Sequence, residues 1–280
     1  MSVINTNVNS LVAQNAVNVN ARALSTAMQQ LSTGKRINGA KDDAAGLSIT
    51  QVMTAQIRGL NVAIRNANDG ISLLQTADGA MVEQSNMLQR MRELAVQAST
   101  DTVTTSQKGF LDNEFQALKT EIDRIGANTM WNDQKLLDGT GGLAGLAGKY
   151  KFQVGSTATT ISADVPNAST AGIYSDVNGN TVKIDNATDA TAAIALVDTA
   201  LGKANTARSK LGAAINQLTY AADNLSNISM NTAASRSRIE DTDYAQASTE
   251  LARTQIVQQA ATAMLAQANQ SPQSVLALLK

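Results

Sequence analysis

The chain has 280 residues, 43% hydrophobic and only 16% charged, with a net charge of −1 and neither cysteine nor histidine. Its apolar content argues against a disordered chain, and its charge balance offers no basic footprint for nucleic acid. The missing side chains exclude disulfides, thiolate nucleophiles, imidazole bases and zinc sites built from Cys or His.

Well-solvated surfaces carry about 25–35% charged residues, so a surface this poor in charge suits a subunit covered by copies of itself. The first residues, Met-Ser-Val-Ile-Asn-Thr-Asn, have no basic region, apolar stretch or cleavage site of a Sec-type leader. No run approaches the roughly 18 apolar residues of a membrane span.

Residues 1–21 hold no charged side chain. Val8, Leu11, Val12, Val19, Leu24, Met28 and Leu31 give this segment the apolar face of a helix, opposite Asn, Gln, Ser and Thr. Uncharged polar faces suit segments that are packed together, or that order only when a partner arrives. Asp42 and Asp43 stand just before Ala44-Ala45-Gly46-Leu47 and read as cap and dipole partners of the next helix.

That helix is predicted over about residues 44–98. Met53, Ile57, Leu60, Ile64, Ala67, Ile71 and Leu74 step 4-3-4-3-4-3, and the stripe continues through Met81, Leu88 and Ala95. At 1.5 Å per residue it is a rod of roughly 80 Å that needs neighbours along its length. Arg90, Arg92 and Glu93 read as a solvated face with local pairing. A second helix follows with Leu111, Phe115, Leu118, Ile122 and Ile125, and Thr105 or Ser106 as its cap.

The middle changes character. Gly139, Gly141, Gly142, Gly145 and Gly148 form a flexible stretch; Tyr150, Phe152 and Val154 alternate as in a strand. Asn178-Gly179, between Val177 and the Val182/Ile184 alternation, predicts a hairpin. Gly148-Lys149 is no phosphate loop, because Leu143 and Tyr150 occupy positions that need glycine and Ser or Thr. Asp176, Asn178 and Asn180 start no calcium loop, because Thr181 and Ala187 stand where glycine and glutamate belong.

A third long helix runs through Ile194, Val197, Leu201, Ala204, Arg208, Leu211, Ile215, Leu218, Ala222 and Leu225. Arg208 interrupts the stripe, either snorkelling or pairing with an acidic neighbour helix. Residues 254–279 are again without charged side chains; Ile256, Ala260, Ala263 and Met264 mark their apolar face. Ser271-Pro272 reads as the start of a short last helix ending Val275-Leu276-Ala277-Leu278-Leu279.

Both ends resemble one family. Leu31-Ser32-Thr33-Gly34-Lys35-Arg36-Ile37-Asn38, then Ala40-Lys41-Asp42-Asp43-Ala44-Ala45-Gly46-Leu47, closely resembles the amino-terminal signature of bacterial flagellins, as do Ile4-Asn5-Thr6-Asn7 and Arg65-Asn66-Ala67-Asn68-Asp69-Gly70-Ile71. Ser237-Arg238-Ile239-Glu240-Asp241-Thr242-Asp243-Tyr244-Ala245 is similar to the carboxy-terminal signature. Lys35 stands where the family commonly has an uncharged residue.

The resemblance implies a mainly α fold: a long antiparallel coiled coil and bundle built from both termini, with a small β-rich insertion. Residues 1–43 with 240–280 would form the coiled coil lining a filament channel. Residues 44–130 with 190–239 would form a helical rod, and 131–189 its insertion. The implied partners are copies of the chain itself, an export chaperone, a filament cap protein and a hook–filament junction protein; the implied route out of the cell is the flagellar type III apparatus. Filament-core assembly would fall to the terminal apolar residues named above with Leu276, Leu278 and Leu279, and rod packing to the stripes of the three long helices.

Gln89, Arg90, Glu93, Leu94 and Gln97, with Glu114, are similar to the patch by which many flagellins engage a Toll-like receptor; Leu118 stands where strongly activating members are basic. The 275–279 tail resembles the segment read by cytosolic flagellin sensors. No catalytic, cofactor or metal residue is expected. The alternatives are a hook–filament junction protein, whose match to these blocks is looser, and a secreted coiled-coil adhesin, which has no need of charge-free ends.

Overall fold

The computed structural model describes residues 6–143, 146–155, 159–168, 172–178 and 182–277. They form two compact units, one of Met1–Ile57 with Met230–Lys280 and the other of Arg58–Ser229.

The terminal unit is built on α1 (Val8–Thr33) and α6 (Tyr244–Ala277), with the first turns of α2 (Ala44–Ala98) and the last turns of α5 (Ala187–Glu240). Asn7 caps α1 by accepting the Ser10 N–H at 3.1 Å, and Gly34 ends it at φ 72°, a left-handed conformation that glycine adopts without penalty. α1 and α6 run antiparallel: Asn7 bonds to Ala268, Asn20 to Thr254 and Tyr244 to Leu31.

The two loops at the far end clasp each other. Arg36 N–H donates to the Glu240 carbonyl at 2.7 Å, its guanidinium to the Ile239 carbonyl at 2.6 Å, and Thr242 N–H to the Gly34 carbonyl at 3.0 Å. Tyr244 Oη donates to the Leu31 carbonyl at 3.1 Å. Carbonyls at the ends of α1 and α5, which lack onward helical donors, are thereby satisfied across the clasp. Lys35 pairs with Glu240. Asp43 caps α2 through the Gly46 N–H at 2.8 Å, as its position predicts.

In the central unit, α2, α3 (Thr105–Asn128) and α5 enclose one apolar core. Of the residues in the predicted stripes, Leu60, Leu74, Phe115, Ile122, Leu211, Leu218 and Leu225 are buried; Ile64, Ile71, Leu111, Leu201 and Ile215 pack against them half-buried. Ile125 is also half-buried, as are Met53 and Ile57 in the terminal unit. Arg208 Nε reaches Asp78 on α2 at 2.9 Å, so the break in the α5 stripe is an ion pair between helices. Thr104, not Thr105 or Ser106, caps α3, in a reciprocal box with Gln107.

Among its described residues the insertion holds three small antiparallel pairs: β1 (Met130–Trp131) with β2 (Gln134–Lys135), β3 (Gly142–Leu143) with β4 (Leu146–Ala147), and β5 (Lys149–Gln153) with β6 (Thr160–Asp164). Asn132 and Asp133 at φ 48° and 60° turn the first, the two positive values a two-residue hairpin requires. β5 docks on α2, where Gly70 leaves room for the Phe152 ring; a Cβ there would lie 2.8 Å from Phe152 Cδ1.

Gln84 on α2 is fully buried and donates to the carbonyls of Ile122 and Ala168 at 3.0 and 3.1 Å, while Tyr174 Oη donates to its Oε1 at 3.2 Å. One side chain thus ties α2, the end of α3 and the loop after β6.

Two expectations are corrected. The strands expected on either side of an Asn178-Gly179 turn do not form: Ser175–Asn178 is the short helix α4, and Val182 and Ile184 belong to no strand. α3 supplies the bonds a partner strand would have made, with Gln116 Nε2 donating to the Val182 carbonyl at 3.0 Å and Asp112 accepting the Ile184 N–H at 2.9 Å. All three apolar side chains are buried. Gly179, the other half of the predicted turn, lies outside the described residues. Secondly, Pro272 starts no new helix; α6 is continuous through it.

Candidate assembly surface

The seam between α1 and α6 is a heptad pattern that mixes Val and Leu with small and polar residues. On α1, the buried or half-buried positions include Ala13, Val17, Asn20, Leu24, Ala27 and Leu31, and on α6 Ala247, Leu251, Thr254, Gln258, Ala261, Leu265 and Ala268. Both series step 4-3-4-3, which keeps two helices face to face. Asn20 sits within it, donating to the Thr254 carbonyl at 2.8 Å and to Gln258 Oε1 at 3.0 Å.

Other large apolar residues of the terminal helices point away from this seam. Val8, Leu11, Val12, Val19 and Met28 on α1 and Ile256, Ala260 and Met264 on α6 are exposed, Val12 at 64%, Ile256 at 67% and Met264 at 65%. Leu24 and Leu31 alone of the α1 set contribute to the seam. Leu276 is in α6, and Leu278 and Leu279 fall outside the described residues.

An open groove of about 530 Å³ runs between the helices, lined by Asn9, Val12, Ala13, Ala16, Met264, Gln267 and Ala268. The pair therefore presents an apolar face with no charge over residues 8–21 and 254–270. Exposed apolar side chains gathered on one uncharged element mark an interaction surface.

On the central unit, Arg90 joins two helices, its Nε 2.9 Å from Glu114 and its Nη1 3.0 Å from Glu93. The hydrogen bonds it donates to Glu114, then to Glu93, hold this guanidinium above its ordinary pKa. Arg92 pairs with Asp198 on α5 at 2.6 Å. Gln89, Arg90, Glu93, Gln97 and Glu114 are exposed together, whereas Leu94 is 1% exposed and belongs to the core, and Leu118 is half-buried against it. Leu94 stands three residues after Met91 and four before Ala98, both buried, and that spacing is the signal that separates it from its neighbours.

Among the described residues no group of three or more acidic side chains is placed to hold a metal, no buried side-chain polar atom lacks a partner, and no helix is long and apolar enough to cross a membrane. What the fold offers is uncharged, apolar helix surface fixed on a rigid pair. It is the architecture of a subunit that packs against others.

The comparisons make that class specific. Residues 4–141 match the family described as the bacterial flagellin N-terminal helical region, and residues 194–279 the bacterial flagellin C-terminal helical region. A flagellin of Halalkalibacterium halodurans is 44% identical over 99% of this chain and 100% of its own length; one from Bacillus subtilis is 41% identical over 99% of each. The crystal structure of Bacillus cereus flagellin is similar at 31% identity and a TM-score of 0.50, over 57% of this chain and 88% of that one. The chain belongs to the bacterial flagellin family, a family of structural proteins.

Proposed function

We propose that this chain is the structural subunit of an extracellular flagellar filament and that α1 and α6 form its assembling element. The observation that carries the reading is the division of labour on the terminal pair. Val17, Leu24, Leu31, Leu251 and Leu265 close the seam within the subunit together with small and polar side chains, while Val8, Leu11, Val12, Val19, Ile256 and Met264 stay outward, where neighbouring copies can cover them. Covering a Val or Met side chain contributes about 1.5–3 kcal/mol each, so a few such residues per subunit supply a strong drive to polymerise. Ion pairs contribute nothing there, because the segments hold no charge.

The functional division we propose is residues 1–43 with 240–280 as channel-lining assembly domain, 44–130 with 190–239 as rod, and 131–189 as insertion. Family resemblance supports export through the flagellar type III apparatus, an export chaperone for the carboxy-terminal segment, growth beneath a cap protein and attachment at a hook–filament junction protein. It also supports host-receptor contact at Gln89, Arg90, Glu93, Gln97 and Glu114. The ion-paired cluster of Arg90 is a rigid polar surface suited to that contact, and Leu94 would act there only by holding its helix.

Sedimentation of purified monomer with and without sonicated filament seeds tests the assembly reading. Seeds are expected to convert most of the protein into pelletable fibres. Removal of residues 260–280 should abolish this and leave the central helices folded; fibre growth at the full rate by that truncated chain would refute the assignment.

A further inference from the structure

We propose that Asn7 is a register latch for the terminal pair, its side-chain amide standing in for the backbone donor that Pro272 removes from α6. In an α-helix the carbonyl of residue 268 accepts the N–H of residue 272. Proline has no N–H, yet α6 runs unbroken through Pro272 to Ala277. The orphaned carbonyl is that of Ala268, and Asn7 Nδ2 donates to it at 2.8 Å.

The other end of the same amide is also engaged. Asn7 Oδ1 accepts the Ser10 N–H at 3.1 Å, capping α1. One side chain therefore starts α1 and completes α6, fixing the first turn of one helix at a single height on the other. Beside it Ser10 Oγ donates to Asn269 Oδ1 at 2.7 Å. Further down the seam Asn20 bonds Thr254 and Gln258, a second polar pin.

The pair needs such pins. Ala13, Ala27, Ala247 and Ala261 are short knobs that seat almost equally well after a slip, and Val17, Leu24, Leu31, Leu251 and Leu265 can find another apolar hole one heptad along, whereas a polar group in a coiled-coil seam has one register in which it is satisfied. A slide along α6 strands the Ala268 carbonyl and moves Val12 away from Met264, with which it lines one groove. Register within the subunit thus sets which apolar residues its outer face displays. The latch does not depend on what covers that face.

The test is a cycle of Asn7→Ser and Pro272→Ala in the full-length protein. Serine keeps a cap acceptor but cannot reach Ala268, and alanine restores the missing N–H. Amide hydrogen exchange is followed over residues 8–14 and 262–270, in soluble protein and in pelleted fibres. Asn7→Ser should speed exchange about 3–10-fold when Pro272 is present, the range a single hydrogen bond supports, and less than about 2-fold with Pro272→Ala. Equal acceleration in both backgrounds overturns the latch, as does the absence of any protection over these residues in both states of the parent chain. Failure to form fibres with the exchange cycle intact would count against the filament reading alone.

Discussion

Replacing Gln84 with leucine keeps side-chain size and removes the three hydrogen bonds by which this residue ties α2 to α3 and to the insertion. The Ile122 carbonyl keeps a helical donor. The Ala168 carbonyl and the Tyr174 hydroxyl, both deep in the core, lose the partners Gln84 gave them. Each buried polar group left unmade costs about 1–3 kcal/mol, so Gln84→Leu should destabilise the central unit by about 2–4 kcal/mol. For a unit of this size 1 kcal/mol shifts Tm by about 2–4 °C, which puts the drop at roughly 5–15 °C. Trp131 is the only tryptophan in the chain and packs against this core, so its fluorescence during heating reports on the central unit. Tyr174→Phe removes one bond and leaves the Gln84 amide engaged; it should cost about 1 kcal/mol and add little once Gln84 is gone. A drop below about 2 °C for Gln84→Leu, or additive losses in the double variant, would refute the clamp.

Val12→Asp and Met264→Glu, each placing an unpaired charge on a surface destined to be dry, should lower seeded fibre yield at least 100-fold, since burying such a charge costs several kcal/mol; the Trp131 melting curve should not move. Gly70→Ala should be neutral to about 2 kcal/mol destabilising, because crowding of Phe152 (about 1–3 kcal/mol) outweighs the helix-propensity gain of about 1 kcal/mol. In a Phe152→Ala background the same change should turn stabilising, and denaturant midpoints read by Trp131 distinguish the two. Burial pushes the Tyr174 hydroxyl far above its ordinary pKa, against a lowering by Arg208, and burial followed by the Asp138 charge raises that of Tyr150. A folded-state pKa above the unfolded value of about 10 contributes stability that is complete below that pH and lost as pH rises through the folded value. Absorbance at 295 nm should therefore show the Tyr174 signal only when alkali unfolds the central unit, and Tyr174→Phe should delete that step.

Residue spacing was informative wherever one chain buries its own large apolar side chains. The 4-3 stripe from Met53 to Leu74 foretells α2, whose bounds Ala44–Ala98 match the expected span, and the misfit of Arg208 in its stripe foretells the pair with Asp78. Asp43 is legible as a cap because short acidic side chains before an apolar run have few other uses. The terminal seam was harder. Val12, Ile256 and Met264 compete there with Val17, Leu24, Leu31, Leu251 and Leu265 for the apolar pattern, and the alanines, threonine, asparagine and glutamine that complete the contact within the subunit leave almost no hydrophobic signature.

In the insertion the chain alone misleads because distant residues decide. Val177 and Val182 alternate like strand residues, but Gln116 and Asp112 on α3 claim the backbone groups a strand would need. The Asn132-Asp133 turn was there to be read, since that pair tolerates positive φ, although neither residue is glycine. Pro272 looks like a boundary until Asn7 supplies the donor it lacks.

Asn7 and Ala268 are 261 residues apart in the chain, and Asn20 and Thr254 are 234 apart. No segment of α1 can find its mate until nearly all of the polypeptide is present in the same place. Contacts of such long range are slow to close, which keeps the early part of the chain extended and threadable for as long as the later part lags behind. It also makes the joint a length check: a product broken off before residue 244 has no strand to offer α1, and so cannot take a permanent seat among complete neighbours.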